Sequence, residues 1–135
     1  MPPILLLDSE VATVWCHPED GIVHHTVKTG EGEYERSVQE FFEAGLQAFR
    51  THRCTGWLSD NRLAGKLAAT TEAWIQTIWR PQMVEAGWKR WAVVLPDLVV
   101  RQLAMQRFAQ EQRKVGVEVG FFATPESAME WLRSG

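Results

Sequence analysis

A chain of 135 residues, 45% of them hydrophobic, can bury one sizeable core without disulfides or metals to hold it together. Its 14 basic and 17 acidic residues leave a formal charge of −3, which gives no electrostatic basis for binding a phosphate backbone and argues against nucleic acid as a partner. The start, Met1-Pro2-Pro3-Ile4-Leu5-Leu6-Leu7-Asp8, has no basic segment and only four consecutive apolar residues, so neither a signal peptide nor membrane insertion is expected. Cys16 and Cys54 then read as reduced thiols of a single-domain cytoplasmic protein.

In chain order, a strand over Ile4 to Leu7 precedes Val11 to His17 and Ile22 to Lys28, joined by Pro18-Glu19-Asp20-Gly21, a composition suited to a hairpin turn. Pairing His17 with Ile22 sets Trp15 opposite His24 and Val14 opposite His25. Ala12, Val14, Cys16, Val23, His25 and Val27 then share a core face, with Thr13, Trp15, His17, His24 and Thr26 on the other. Ser37 and Glu40 form a capping-box pattern at the start of a helix whose stripe is Val38, Phe41, Phe42, Gly45, Leu46 and Phe49. A strand follows over Cys54 to Asp60. The second helix starts at Thr70 or Thr71 as cap, places Trp74, Ile75, Ile78 and Trp79 on one side, and must kink or break at Pro81. Trp91 to Leu95 is apolar throughout, as in a parallel strand covered on both faces. Asp97 caps a third helix through Val99, Val100, Leu103 and Phe108. Val117 to Phe122 is the last strand, and Thr124 with Pro125 opens a closing helix that turns Ala128, Trp131 and Leu132 inward. The expected fold is α/β, a mixed sheet with an antiparallel N-terminal hairpin, parallel later strands and about four helices.

No nucleophile stands at a recognisable spacing from a base, and there is no glycine loop for phosphate or metal-ligand spacing. His24 and His25 point to opposite faces. Cys16 and His25 share a face but lack further ligands nearby. Asp60, Asn61 and Arg62 lie at the C-terminal end of a parallel strand, the edge where open α/β sheets hold ligands, so these three are the candidate binding rim. The structural alternative is a turn in which Asp60 accepts backbone hydrogen bonds and pairs with Arg62. An apolar pocket between the second helix and the sheet, lined by Trp74, Trp79 and Met83, is the second candidate. Of the seven tryptophans, Trp91, Trp131 and one of Trp74 and Trp79 fill the core, whereas Trp15 with Trp57 or Trp88 is left to an interface.

The run Trp57-Leu58-Ser59-Asp60-Asn61-Arg62, followed by Trp74-Ile75, Trp79-Arg80-Pro81, Ala86-Gly87-Trp88-Lys89, Ala92-Val93-Val94-Leu95-Pro96, Phe121-Phe122 and Ala128-Met129-Glu130-Trp131-Leu132, resembles the small bacterial SpoIIAA-like proteins. These belong with the STAS (sulfate-transporter and anti-sigma-factor-antagonist) domains, and the similarity covers about residues 29 to 132. The resemblance implies a regulatory or protein-interaction module without chemistry or cofactor of its own, and the tryptophans left to an interface point to a homodimer or another protein as partner. A carrier of a small apolar molecule or lipid is the alternative it leaves open. In the anti-sigma-factor antagonists a serine at the start of the helix after the central strand is phosphorylated. Here Ala68-Ala69-Thr70-Thr71-Glu72 replaces the Asp-Ser-Ser-Gly signature, and Glu72 would oppose added negative charge. An enzyme using Asp60, Arg62 and His52 is the weakest reading, because an acid beside an arginine is more often a structural pair.

Overall fold

The structure, a computed structural model, describes residues 2–31, 34–95 and 116–134. Three strands open the chain: β1 (Ile4–Asp8), β2 (Ala12–His17) and β3 (Ile22–Val27). The β2–β3 turn closes through the Asp20 and Gly21 N–H groups, both donating to the His17 carbonyl, with Gly21 at φ 67°. The β2–β3 register is the expected one, with Val14 opposite His25 and Trp15 opposite His24. The buried residues of the pair are accordingly those assigned to the core face, with Ile22 added on the other face.

Helix α1 (Tyr34–His52) starts ahead of Ser37, which lies inside the helix, buried, and does not cap it. Val38, Phe41, Phe42, Gly45, Leu46 and Phe49 form its buried stripe, as their spacing requires. Gly45 is demanded by close approach, since a Cβ there would collide with the Trp57 ring. Strand β4 (Gly56–Asp60) follows, buried at every residue.

The second helix runs as Ala69–Trp74, a π-helical turn Ile75–Trp79 and then Arg80–Glu85, together α2. Pro81 explains the turn: it has no N–H for the Thr77 carbonyl and its ring crowds that position, so the ladder widens and the Arg80 N–H reaches back to Ile75. The expected interruption is thus a π turn within a continuous coil. Neither Thr70 nor Thr71 is the cap. Ala68 holds that position without a side-chain bond of its own, and the Glu35 carboxylate accepts from the Ala68 N–H at 2.7 Å and the Thr71 hydroxyl at 3.2 Å. An acid on α1 therefore caps α2 from outside.

Strands β5 (Arg90–Val94) and β6 (Glu118–Phe122) complete the sheet, and α3 (Pro125–Ser134) ends the chain with the Ser127 N–H bonded to the Thr124 hydroxyl. The sheet order is β1-β2-β3-β4-β5-β6. The first three strands are antiparallel and the rest parallel. Because the order advances in one direction, crossovers of one hand stack α1 and α2 on the same face. Their apolar residues join one large cluster centred on Trp57. Helix α3 covers the opposite face, packing Ala128 and Leu132 on Ile22, Leu58, Ala92 and Val94. Three helices stand among the described residues; the helix expected from Asp97 through Phe108 lies outside them. No helix among the described residues is long and apolar enough to cross a membrane.

The tryptophans are divided differently from the expectation. Trp57, Trp79, Trp88 and Trp91 are all buried, so Trp57 and Trp88 are not available to an interface. Each spends its indole N–H inside: Trp57 on His25 Nδ1, Trp79 on the Phe42 carbonyl, Trp88 on the Arg90 carbonyl and Trp91 on Ser59 Oγ. Trp131 is only partly buried, capped by the Arg90 guanidinium 3.8 Å above its ring. Trp15 and Trp74 are partly exposed.

Candidate functional site

The rim forms where β4 ends. Asp60 is 3% exposed, and its carboxylate is held in a fork by Arg62, Nε to Oδ1 at 2.9 Å and Nη2 to Oδ2 at 2.8 Å. This bidentate geometry occupies both carboxylate oxygens, so Asp60 is an ion-pair partner more than a general base. The Arg62 side chain is 46% exposed and carries the polar surface of the rim. Thr26, Val27, Asp60, Arg62 and Leu63 line a shallow hollow of about 310 Å³ beside it.

Asn61 turns the other way. Its Oδ1 lies 3.0 Å from His25 Nε2, and its N–H donates to the Val94 carbonyl. His25 is 1% exposed, stacked on Phe41 with ring centroids 4.7 Å apart. The Trp57 N–H donates to its Nδ1 at 2.9 Å, so that nitrogen must carry the lone pair and Nε2 the proton given to Asn61. Protonating the ring would set two donors against each other. Burial pushes the His25 pKa down to about 4, the neighbouring His24 adding to the effect against the Asn61 bond. His24 is also lowered to about 4, by burial and then by His17, and its Nε2 lies 3.2 Å from the Thr26 hydroxyl. The signal for this network was the parity that put His25 on the core face, but its partners Trp57 and Asn61 come from another strand.

Trp74 and Trp79 lie elsewhere, and share no lining with the rim. A groove of about 430 Å³ runs between α1 and α2, with Trp74, Ile78 and Trp79 on one wall. Trp74 and Trp79 line this interhelical groove, whereas Met83, the third residue expected to line a pocket between the second helix and the sheet, is fully buried and does not line it. The five candidate residues therefore divide into a polar rim and a groove.

Cys16 and Cys54 pack with their sulfurs 3.8 Å apart, both buried and both free. Burial raises both thiols, Cys54 to about 12 with Cys16 adding to the effect, which disfavours a nucleophilic thiolate. Among the described residues no three His, Cys, Asp or Glu side chains are placed to hold a metal ion. At the start of α2, the Thr71 hydroxyl already faces the Glu35 carboxylate, so a phosphate there would meet two carboxylates, Glu35 and Glu72.

Comparison with protein-family models, with curated proteins and with solved structures finds no match.

Proposed function

We propose that this protein is a non-enzymatic, STAS-like regulatory or interaction module that binds a second copy of itself or another protein through the outer face of β1–β3. One observation carries the reading. Helix α3 packs mainly on β4, β5 and β6 and meets β3 at Ile22, at the end of that strand, while among the described residues no helix packs on the Leu5–Trp15 part of the same face. There Leu5, Trp15 and His24 stand opposite one another across three strands. Leu5 is 45% exposed, and the Trp15 indole N–H has no partner among the described residues. An amphipathic indole beside an exposed leucine on an open sheet is surface suited to burial against a partner. The ion pairs Lys28–Asp8 and Arg133–Asp20 stand at the two ends of these strands, giving the patch a polar border. The STAS-like part of the proposal draws on the motif residues of the sequence and on the hairpin followed by parallel crossovers. The occupied Asp60 carboxylate, the raised thiols and the neutral buried His25 favour binding over catalysis.

Native mass spectrometry of protein purified from its own host tests this. The expected result is a homodimer or a complex with one further protein, reduced to the free monomer by Leu5→Asp with Trp15→Asp while the circular dichroism spectrum is unchanged. A monomer without partners, or an assembly indifferent to both substitutions, would sink the proposal.

A small-molecule carrier is the second reading. It is favoured by the groove between α1 and α2, whose volume falls within the range of ligand sites.

A further inference from the structure

The groove has a chemical polarity that follows from how the two helices are laid down. Helices α1 and α2 each connect parallel strands, so they run in the same direction across the sheet. They are joined near their C-terminal ends, where Arg50 Nη2 donates to Gln82 Oε1 at 2.9 Å and closes the groove. Measured back from that bond at about 1.5 Å per residue, Glu43 stands about 11 Å along α1 and Trp74 about 12 Å along α2. The two residues therefore stand at similar backbone heights on the two helices, and both line the groove.

Glu40 lies one turn further out on α1, and neither Glu40 nor Glu43 has an ion-pair or hydrogen-bond partner among the described residues. Both are solvent-exposed at the rim of the groove. Opposite them, the Trp74 ring is partly buried against the core, which fixes its orientation, and its indole N–H has no partner among the described residues. Between this end and the Arg50–Gln82 closure lies Ile78, 49% exposed. Within the π turn Ile75 and Trp79 are buried, whereas Ile78 is exposed and lines the groove. An aromatic face beside two unpaired carboxylates attracts a cation by both ring quadrupole and charge. The aliphatic wall behind it takes an apolar body.

We infer that the groove between α1 and α2 binds an amphipathic amine, with the ammonium held by Glu40, Glu43 and the Trp74 ring and the apolar body laid along Ile78. This rests on the carrier reading and names its ligand class. It is independent of the β1–β3 face, which lies on the opposite side of the sheet.

Three probes with one naphthyl body separate the two claims: naphthylethylamine, naphthylethanol and naphthylacetate, each titrated into the full chain while the Trp74 indole N–H resonance is followed by NMR. The expected order is amine tightest, the alcohol about tenfold weaker and the acid weaker again, with the preference for amine over alcohol lost in the double variant Glu40→Gln, Glu43→Gln. Both substitutions are at exposed positions, so the fold serves as its own control. Equal binding of all three probes at Trp74 would overturn the amine inference and leave the carrier reading standing. No shift of the Trp74 resonance with any probe would overturn both.

Discussion

At the residue scale, the side chain that most constrains this protein is His25, because it is polar, fully buried and satisfied only in one protonation state. Its Nδ1 accepts from Trp57 and its Nε2 donates to Asn61, so the core and the β4 rim share a hydrogen-bond chain. In the unfolded chain the imidazole titrates near its usual 6.5, whereas in the fold it titrates at about 4. Between those values the unfolded state takes up a proton that the native state refuses, so stability falls as pH drops from about 6.5 toward 4 and levels off below. Urea unfolding at about pH 5 and about pH 7.5 should differ by about 2 kcal/mol from His25, with His24 adding in the same direction. His25→Gln should remove about half of that dependence and leave the part due to His24; an unchanged slope would place the titrating group elsewhere. Asp60 is a different case. Its partner Arg62 is half-exposed and can return to water, so Asp60→Ala should lower stability by only about 1 to 2 kcal/mol, read by chemical denaturation. An unchanged melting temperature with a lost binding event would instead make Asp60 a ligand contact.

At the scale of elements, α1 and α2 depend on each other for their ends and their spacing. Glu35 supplies the cap that the local sequence of α2 lacks, and Trp79 satisfies its N–H on the α1 backbone at Phe42. Gly45 sets how closely α1 approaches β4, since Trp57 occupies the space of any side chain there. Gly45→Ala gains up to about 1 kcal/mol in helix propensity. It also forces a methyl against an indole ringed by Phe42, Phe49 and Trp79, where no relief is available. The net effect should be destabilising, by about 1 to 3 kcal/mol, seen as a lower melting temperature. A stabilised variant would mean that α1 can lift from the sheet without loss.

At the scale of the whole molecule, the helices are shared unevenly between the two faces of the sheet. Among the described residues, helices α1 and α2 cover one face around a large aromatic cluster, whereas α3 covers only the parallel end of the other. The open end of the second face carries Leu5 and Trp15, on which the interaction reading depends. If a second copy covers it, association adds to folding stability, and the melting temperature should rise with protein concentration. The Leu5→Asp, Trp15→Asp variant should show no such rise. A melting temperature independent of concentration in the wild type would point to a different partner for this face.

The period-two alternation of β2 and β3, the helical stripe from Val38 to Phe49, the Thr124-Pro125 start and the apolar run at Trp91 were legible because each is a local pattern with one face turned to the core. The register taken for the hairpin, His17 opposite Ile22, is the one the structure shows. What lay beyond the sequence were contacts between residues far apart along it. Ser37 and Glu40 spelled a cap that the helix does not use, because α1 extends past it, and the true cap of α2 is 33 residues upstream in Glu35. Pro81 announced a disturbance but not its form, a π turn in which the Arg80 N–H reaches the Ile75 carbonyl. Tryptophans were readable as apolar and not as buried or exposed, for an indole suits either until its N–H finds an acceptor. Local order was thus written in periodicity, and the assignment of surfaces waited on tertiary packing, because burial is a property of what arrives from elsewhere in the chain.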